Sequence, residues 1–235
     1  MVGEDKNQGF VAVAKQSASQ SDQVTRSWGQ KSGSFLDKSA IVFDWDDTLF
    51  ASSAMSSYGL HSSEEEDLTS EMQGLLIELE EHVISVLEKA VRFGKVCIIT
   101  NADNGWVALC GERFFPRALS FIERKEIPVI SARHLYESKY PTTPTKWKEA
   151  AFAEHIAPWC HREEDMNVLV LGDGLSERLA AHAFAKNRTQ ARVKTVKFVE
   201  HPTIKELVQQ LFLLETSFDY IWEHDGTFDI DLNFQ

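Results

Sequence analysis

The chain is short of cysteine, of long apolar runs and of basic residues, and each shortfall removes a class of protein. Cys97, Cys110 and Cys160 are odd in number, widely spaced and never arranged as CxxC. They form neither a disulfide framework nor a zinc site. Cys97, inside an apolar run, is expected to be a small buried hydrophobe. No stretch approaches the ~20 apolar residues that a membrane span needs. The N-terminus lacks the basic start and apolar core of a secretory signal, so the expected location is cytoplasmic, with no membrane partner. Lys and Arg total 24 against 36 Asp and Glu, a formal net charge of −12. A nucleic-acid binder needs a basic face to meet phosphates, so nucleic acid is not an expected partner.

The chain has 235 residues, 43% hydrophobic and 26% charged, an ordinary globular composition with room for one sizeable domain and tails. Residues 1–38 are rich in Ser, Gln, Gly and Lys. They are expected to be disordered or loosely docked, with Trp28 and Phe35 as docking candidates. Residues 39–216 alternate in pattern and form the expected domain. Residues 217–235 mix aromatics with acids and hold no Lys or Arg; that tail either packs by its aromatics or lies free. A polar stretch from Ser52 to Thr69 carries the acidic run Glu64–Asp67, expected to be solvated.

Within the domain, Met72, Leu75, Leu76, Leu79, Val83, Val86, Leu87 and Ala90 recur at helical steps, with Gly94 as the expected C′ residue. "VCIIT", "IPVIS", "NVLVLG" and "VKTVKFV" are short apolar runs of the kind buried on both faces. Between them fall helical patterns: one broken near Pro116, one with Thr145 as expected N-cap, and one opened by a Thr203/Glu206 capping box. Five strand–helix alternations predict an α/β fold, a Rossmann-like, mainly parallel sheet sandwiched by helices. Ligands of such sheets bind beyond the carboxyl ends of the strands.

Those ends carry the notable polar residues. The first strand runs into Asp44-Trp45-Asp46-Asp47-Thr48, the second into Thr100-Asn101, and the fourth into Gly172-Asp173-Gly174 with Glu177 beyond. Lys146 and Lys148 lie in the first turn of the helix before the fourth strand. In this order the residues resemble the haloacid dehalogenase-like hydrolase superfamily over residues 40–215. Its four motifs match Asp44/Asp46/Thr48, Thr100, Lys148 or Lys146, and Asp173 with Glu177.

Clustered carboxylates repel, and a hard cation such as Mg²⁺, which takes oxygen ligands, is the expected compensation. It would keep Asp44 ionised for in-line attack on phosphorus through an aspartyl-phosphate. Asp46, two residues on in an extended segment, points to the same side and is the expected proton donor and acceptor. The resemblance implies metal ligands at Asp44, Asp46 (through its backbone carbonyl) and Asp173. It also implies phosphoryl contacts from Thr100, Asn101 and Lys148. Relatives that cleave carbon–halogen bonds lack an acid at the position of Asp46, and ion pumps carry Thr there, so a phosphatase or phosphomutase is implied. The Ser52–Thr69 stretch is too short for a substantial lid, so the cap is expected to be minimal or absent. An open site fits a bulky substrate such as a phosphoprotein.

Plainer readings stand beside these. Asp44 and Asp46 could be turn acids, Thr100-Asn101 a helix N-cap, and Glu177 a solvated first-turn acid. Lys148 is preferred over Lys146, although either could face solvent. Asp103 and Trp106 lie near Thr100 where they could touch substrate, but are expected as a turn acid and a core aromatic, and His134, His155 and His161 show no ligand spacing. The whole could also be a catalytically silent interaction module or a phosphotransferase.

Overall fold

Ser39–Phe43 (β1) is buried along its whole length, as a strand covered on both faces must be. A computed structural model describes residues 39–56, 68–159, 165–186, 188 and 190–232. After β1 come α1 (Ser52–Ser56), α2 (Ser70–Phe93), β2 (Lys95–Thr100), α3 (Trp106–Phe114), α4 (Pro116–Arg124), β3 (Val129–Ser131) and α5 (Ala132–Tyr136). They are followed by α6 (Pro144–Ala151), β4 (Met166–Gly172), α7 (Leu175–Lys186), β5 (Ala191–Lys197), α8 (Ile204–Glu223) and β6 (Phe228–Asp231). The strands form one six-stranded sheet in the order β3-β2-β1-β4-β5-β6, and every pairing is parallel. This is a Rossmann-like α/β architecture.

The two-residue period of the strands sorts side chains between two cores. Ile41, Phe43, Val96, Ile98, Leu169 and Leu171 pack with residues of α2, α4 and α8 on one face. Ala40, Val42, Cys97, Ile99, Val168 and Val170 pack with residues of α5, α6 and α7 on the other. Trp45 continues the first set and stacks on Phe50. The large apolar side chain between Asp44 and Asp46 thus anchors the loop in one core.

The order of the strands places the site. The chain lays β2 and β3 to one side of β1, then returns to put β4 on the other. A crevice forms at such a switch point because the loops after the two central strands lead to opposite faces. β1 and β4 are in register, Phe43 opposite Leu171, and the Asp44 N–H donates to the Leu171 carbonyl at 2.9 Å. The Asp44 loop and the Gly172-Asp173-Gly174 loop therefore leave the sheet side by side.

Three local expectations change. Gly94 closes α2 in an extended conformation, not a left-handed one. Glycine is required there because a Cβ would sit 2.8 Å from Ser39 Cβ and its carbonyl oxygen. Helix α6 starts at Pro144, so Thr143 and not Thr145 is its N-cap, in keeping with the preference for proline in the first helical turn. The third change is at the C-terminus. Beyond residue 216 the chain continues α8 to Glu223 and then adds β6 beside β5. Phe228 and Ile230 pack on the core, while Asp229 meets His182 at 3.1 Å and Asp231 meets Arg178 at 2.5 Å. The break between α3 and α4, the buried Cys97 and the Thr203/Glu206 capping box all appear as expected. Residues 1–38 with Trp28 and Phe35, the acidic run 64–67, Cys160 and His161 lie outside the described residues. Among the described residues no helix is long and apolar enough to cross a membrane.

Candidate active site

A cavity of about 420 Å³ opens beyond the carboxyl ends of the central strands, and Asp44, Asp46, Asn101, Lys148, Asp173 and Glu177 are among its lining residues. The sequence-predicted groups converge there. Asp44 is 7% exposed, and its Oδ1 lies 2.7 Å from Lys148 Nζ. Lys148 also binds Glu177 Oε1, and the lysine is itself 1% exposed. Asp44, Asp173 and Glu177 each offer an oxygen within 4.8 Å of the others.

Lys148, and not Lys146, is the lysine of this cluster. Lys146 lies on the surface and pairs with Glu149 at 2.5 Å. Trp147, Lys148 and Ala151 form the buried side of α6, which the contact of that helix with α7 holds against the site.

Glu177 is buried, not solvated. It turns back into the loop that precedes its own helix, accepting from Gly174 N at 3.1 Å and Ser176 Oγ at 2.7 Å. Gly172 makes the turn-back possible: a Cβ there would lie 2.3 Å from Glu177 Cγ. The glycine at the end of β4 is thus a matter of close approach, not of backbone freedom.

Burial pushes Asp44 well above the usual carboxylate range, against the pull of Lys148, and Glu177 and Asp46 add to the rise. Burial likewise raises Asp173 to about 7, with Glu177 and Asp47 adding to it and Lys148 opposing. Burial would also raise Glu177, but the charge and hydrogen bond of Lys148 outweigh it and hold Glu177 below its ordinary value. Burial alone would lower Lys148; Asp44 and Glu177 overcome it and hold the ammonium above its ordinary value. Lys148 therefore supplies part of the compensation that the crowded aspartates need. One ammonium among the three carboxylates of this cluster leaves negative charge unmatched.

Asp46 stands apart from that cluster. Its Oδ2 accepts from Thr100 Oγ1 at 2.9 Å and its Oδ1 from Trp106 Nε1 at 2.8 Å. Thr100 also accepts from Ala102 N at 2.9 Å and is 1% exposed, so its hydroxyl lies behind Asp46 and not on the cavity wall. It is not the cap of α3, whose N-cap is Gly105. Asn101 reaches from the cavity towards α6, its Nδ2 3.4 Å from the Pro144 carbonyl. The turn-capping acid is Asp47: at φ 52° it occupies the left-handed region that Asp tolerates. It accepts from Ser53 N at 2.9 Å and from Ser53 Oγ, which in turn lies 2.8 Å from His201 Nδ1.

Sequence reasoning assigned Trp106 to the core and missed two further contributors. Trp106 is half-buried and its indole N–H points at a site carboxylate. Its signal was an aromatic opening a helix just past a strand end, where polar handles gather. Arg133 lines the cavity and is tied to Glu137 at 3.1 Å and Asp103 at 3.5 Å. His201 meets the Asp47 loop from a stretch 148 positions away from Ser53, which no local pattern could announce. His134 and His155 stand outside the cavity lining. No family model matches this chain, and no curated protein or solved structure matches it either.

Proposed function

We propose that the protein is a phosphomonoesterase of the haloacid dehalogenase-like type, with Asp44 as nucleophile and Mg²⁺ as cofactor. The observation that carries this reading is the Asp44–Lys148–Glu177 cluster, with Asp173 beside it, at the switch point of a parallel sheet and facing a cavity. A hard cation fits the residues present. Every donor is an oxygen, and two of the acids, Asp44 and Asp173, are held above their usual range by burial and by one another's neighbours. Asp44, Asp173 and the backbone carbonyl of Asp46 would hold it, with Glu177 close by. When bound, the ion would lower the repulsion among these acids and favour the ionised form of Asp44.

The remaining chemistry belongs to the side chains. A carboxylate oxygen of Asp44 attacks phosphorus in line, forming an aspartyl-phosphate as the bond to the leaving alcohol breaks. Asp46 gives its proton to the departing oxygen and then takes one from the water that hydrolyses the intermediate. Lys148 stays charged throughout and offsets charge on the transferring group. Between β2 and α6 the described residues are used up by α3, α4, β3 and α5. That supports a small or absent cap and a substrate that brings its own bulk, such as a phosphoprotein.

The test is phosphate release from p-nitrophenyl phosphate with Mg²⁺ or EDTA, wild type beside Asp44→Asn. Metal-dependent release that disappears in a folded Asp44→Asn variant is the expected result. Equal rates in the two proteins would refute Asp44 as nucleophile. No release from this ester or from a panel of phosphopeptides and phosphorylated metabolites would favour a silent binding module.

A further inference from the structure

Among the described residues two basic side chains line the cavity, Lys148 and Arg133, against five carboxylates. Lys148 is already matched, since it lies between Asp44 and Glu177. Arg133 is the cation of the lining that stands outside that acidic cluster. Its own partners hold it loosely. Nε donates to Glu137 Oε2 at 3.1 Å and Nη1 stands 3.5 Å from Asp103 Oδ1. The side chains of the two acids are 45% and 80% exposed, and that of the arginine 40%. Ion pairs this exposed contribute little, so an incoming anion exchanges with them at small cost. A guanidinium has five N–H donors in a planar fork. These two contacts leave Nη2 without a partner among the described residues.

We propose that Arg133 is a specificity-determining residue that binds a second anionic group of the substrate, a carboxylate or a phosphate, while the ester phosphate lies at Asp44. The proposal rests on the phosphatase reading above. A substrate with two anionic groups meets a cavity rich in carboxylates, and its second charge needs a cation that the acidic cluster has not already taken. Arg133 supplies that cation, and its fork matches the two oxygens of a carboxylate or phosphate better than a point charge does.

Placement agrees with this role. Arg133 lies in α5, two residues after Ser131 ends β3 opposite Thr100 of β2. Ser131 Oγ donates to the Ala102 carbonyl at 2.6 Å and accepts from His134 N at 3.1 Å. One hydroxyl thus pins the start of α5 to the loop after β2, which brings Asn101 and Asp103 to the same cavity wall. In the sheet, β3 stands two strands from β1. At a strand spacing of ~4.8 Å, an anion held by Arg133 lies roughly 6–10 Å from a phosphorus at Asp44 once both side chains reach inwards. That span sets the separation of the two groups in the substrate.

The test compares three esters with Mg²⁺: butane-1,4-diol monophosphate, the phosphate ester of 4-hydroxybutanoate, and butane-1,4-diol bisphosphate. Each releases a primary alkoxide, so they differ in the tail, which is neutral, a carboxylate or a phosphate. Wild type is expected to favour an anionic tail in kcat/KM, and the tail it favours identifies the second group. Arg133→Gln should lower the ratio of anionic to neutral kcat/KM by roughly 10- to 100-fold, the share of a hydrogen bond between charged groups. The loss should fall on KM and not on kcat, as removal of ground-state binding does. Arg133→Lys keeps the charge without the fork and should recover part of the ratio; it also serves if Arg133→Gln fails to fold. Equal losses on all three esters in Arg133→Gln mean a structural role and overturn the proposal. Wild type that hydrolyses p-nitrophenyl phosphate yet treats the three tails alike, or prefers the neutral one, overturns it too and leaves the phosphatase reading standing. Wild type inert towards every ester, p-nitrophenyl phosphate included, overturns that reading itself, and the proposal falls with it.

Discussion

Lys148 and Lys194 are enclosed to the same degree, at 1% and 0% exposure, yet their ammonium groups are driven in opposite directions. Lys148 sits between Asp44 and Glu177, and those two charges hold its pKa above the ordinary lysine value despite burial. Lys194, on β5, donates to the carbonyls of Ile221 at 2.9 Å and Trp222 at 2.5 Å, near the C-terminal end of α8. The Trp222 and Phe228 rings lie 5.9 Å from its nitrogen. Here burial prevails, Arg192 adds to it, Asp225 opposes, and the pKa falls to about 8. Helix-end carbonyls carry partial charges and aromatic faces a quadrupole; neither replaces a carboxylate. Partners, not depth, decide what a buried lysine is for. One lysine holds an acidic cluster together at the cavity, and the other fastens the end of a helix to the sheet.

The largest effect expected from breaking this contrast is at Lys148. Lys148→Met leaves Asp44 and Glu177 enclosed without a counter-charge, and removing one partner of a buried ion pair typically costs about 3–5 kcal/mol. Urea unfolding should show that loss without added metal, and Mg²⁺ should restore part of it by standing in for the missing positive charge. On the proposed reading, phosphatase activity should not return with the metal, since the lysine's charge on the transferring group would still be absent. A variant as stable as wild type in EDTA would mean that the cluster is neutral in the folded protein and that the ion pair is not what holds it.

At Lys194 the effect is smaller and depends on pH. The folded-state pKa lies below the unfolded value, so the group binds fewer protons folded than unfolded. Below pH 8 the lysine is charged in both states and its burial penalty is fully present. As pH rises from about 8 to about 10.5, the unfolded chain keeps a proton that the folded one has released, and stability gains. A shift from 10.5 to about 8 corresponds to at most ~3 kcal/mol. The neutral amine still carries two N–H donors for its two carbonyls, so the helix end stays fastened. Wild type should therefore gain on Lys194→Met across this window, read as the difference in urea midpoints at pH 7.5 and 10.5. No gain would place the ammonium in a wetter setting than its enclosure implies. Lys148 has the opposite sign: its contribution is intact below the ordinary lysine pKa and is lost only as pH climbs through its raised folded value.

The same contrast explains what was legible in the sequence. Strand ends and their acids are local: an apolar run stops, a polar cluster starts, and parallel topology brings Asp44, Thr100 and Asp173 to one rim. The partners of those groups are set by tertiary approach. Glu177 meets Lys148 because α6 packs on α7 and because Gly172 has no Cβ, and neither fact is visible in a window of ten residues. A weaker signal was present. Lys148 precedes the buried Ala151 and Phe152 at three and four positions, and Glu177 precedes the buried Ala180 and Ala181 in the same way. A charged residue aligned with an apolar helical stripe is pointed inwards. The strand β6 was missed for another reason. "FDID" alternates apolar and acidic residues, the period of a half-covered strand, but the run is only four residues long and sits among other acids and aromatics. Its acids are there to meet Arg178 and His182 on α7.

The smallest effect is expected at Lys146, two positions from Lys148. Neighbours two apart on a helix point to different sides, and here one side is the site and the other is water. Lys146 and Glu149 form an i,i+3 pair with side chains 49% and 24% exposed, a setting in which an ion pair contributes about 0.2–1 kcal/mol and salt screens it. Lys146→Met should shift the unfolding midpoint barely beyond error, and the shift should vanish at high salt. On the proposed reading it should leave both the Mg²⁺ dependence and the phosphatase rate unchanged, because Asp44 and Glu177 answer to the ammonium on the buried side of α6. Loss of activity in Lys146→Met with retention in Lys148→Met would reverse that assignment. The enclosed lysine would then be only a structural brace, like Lys194, and the exposed one the group that meets substrate.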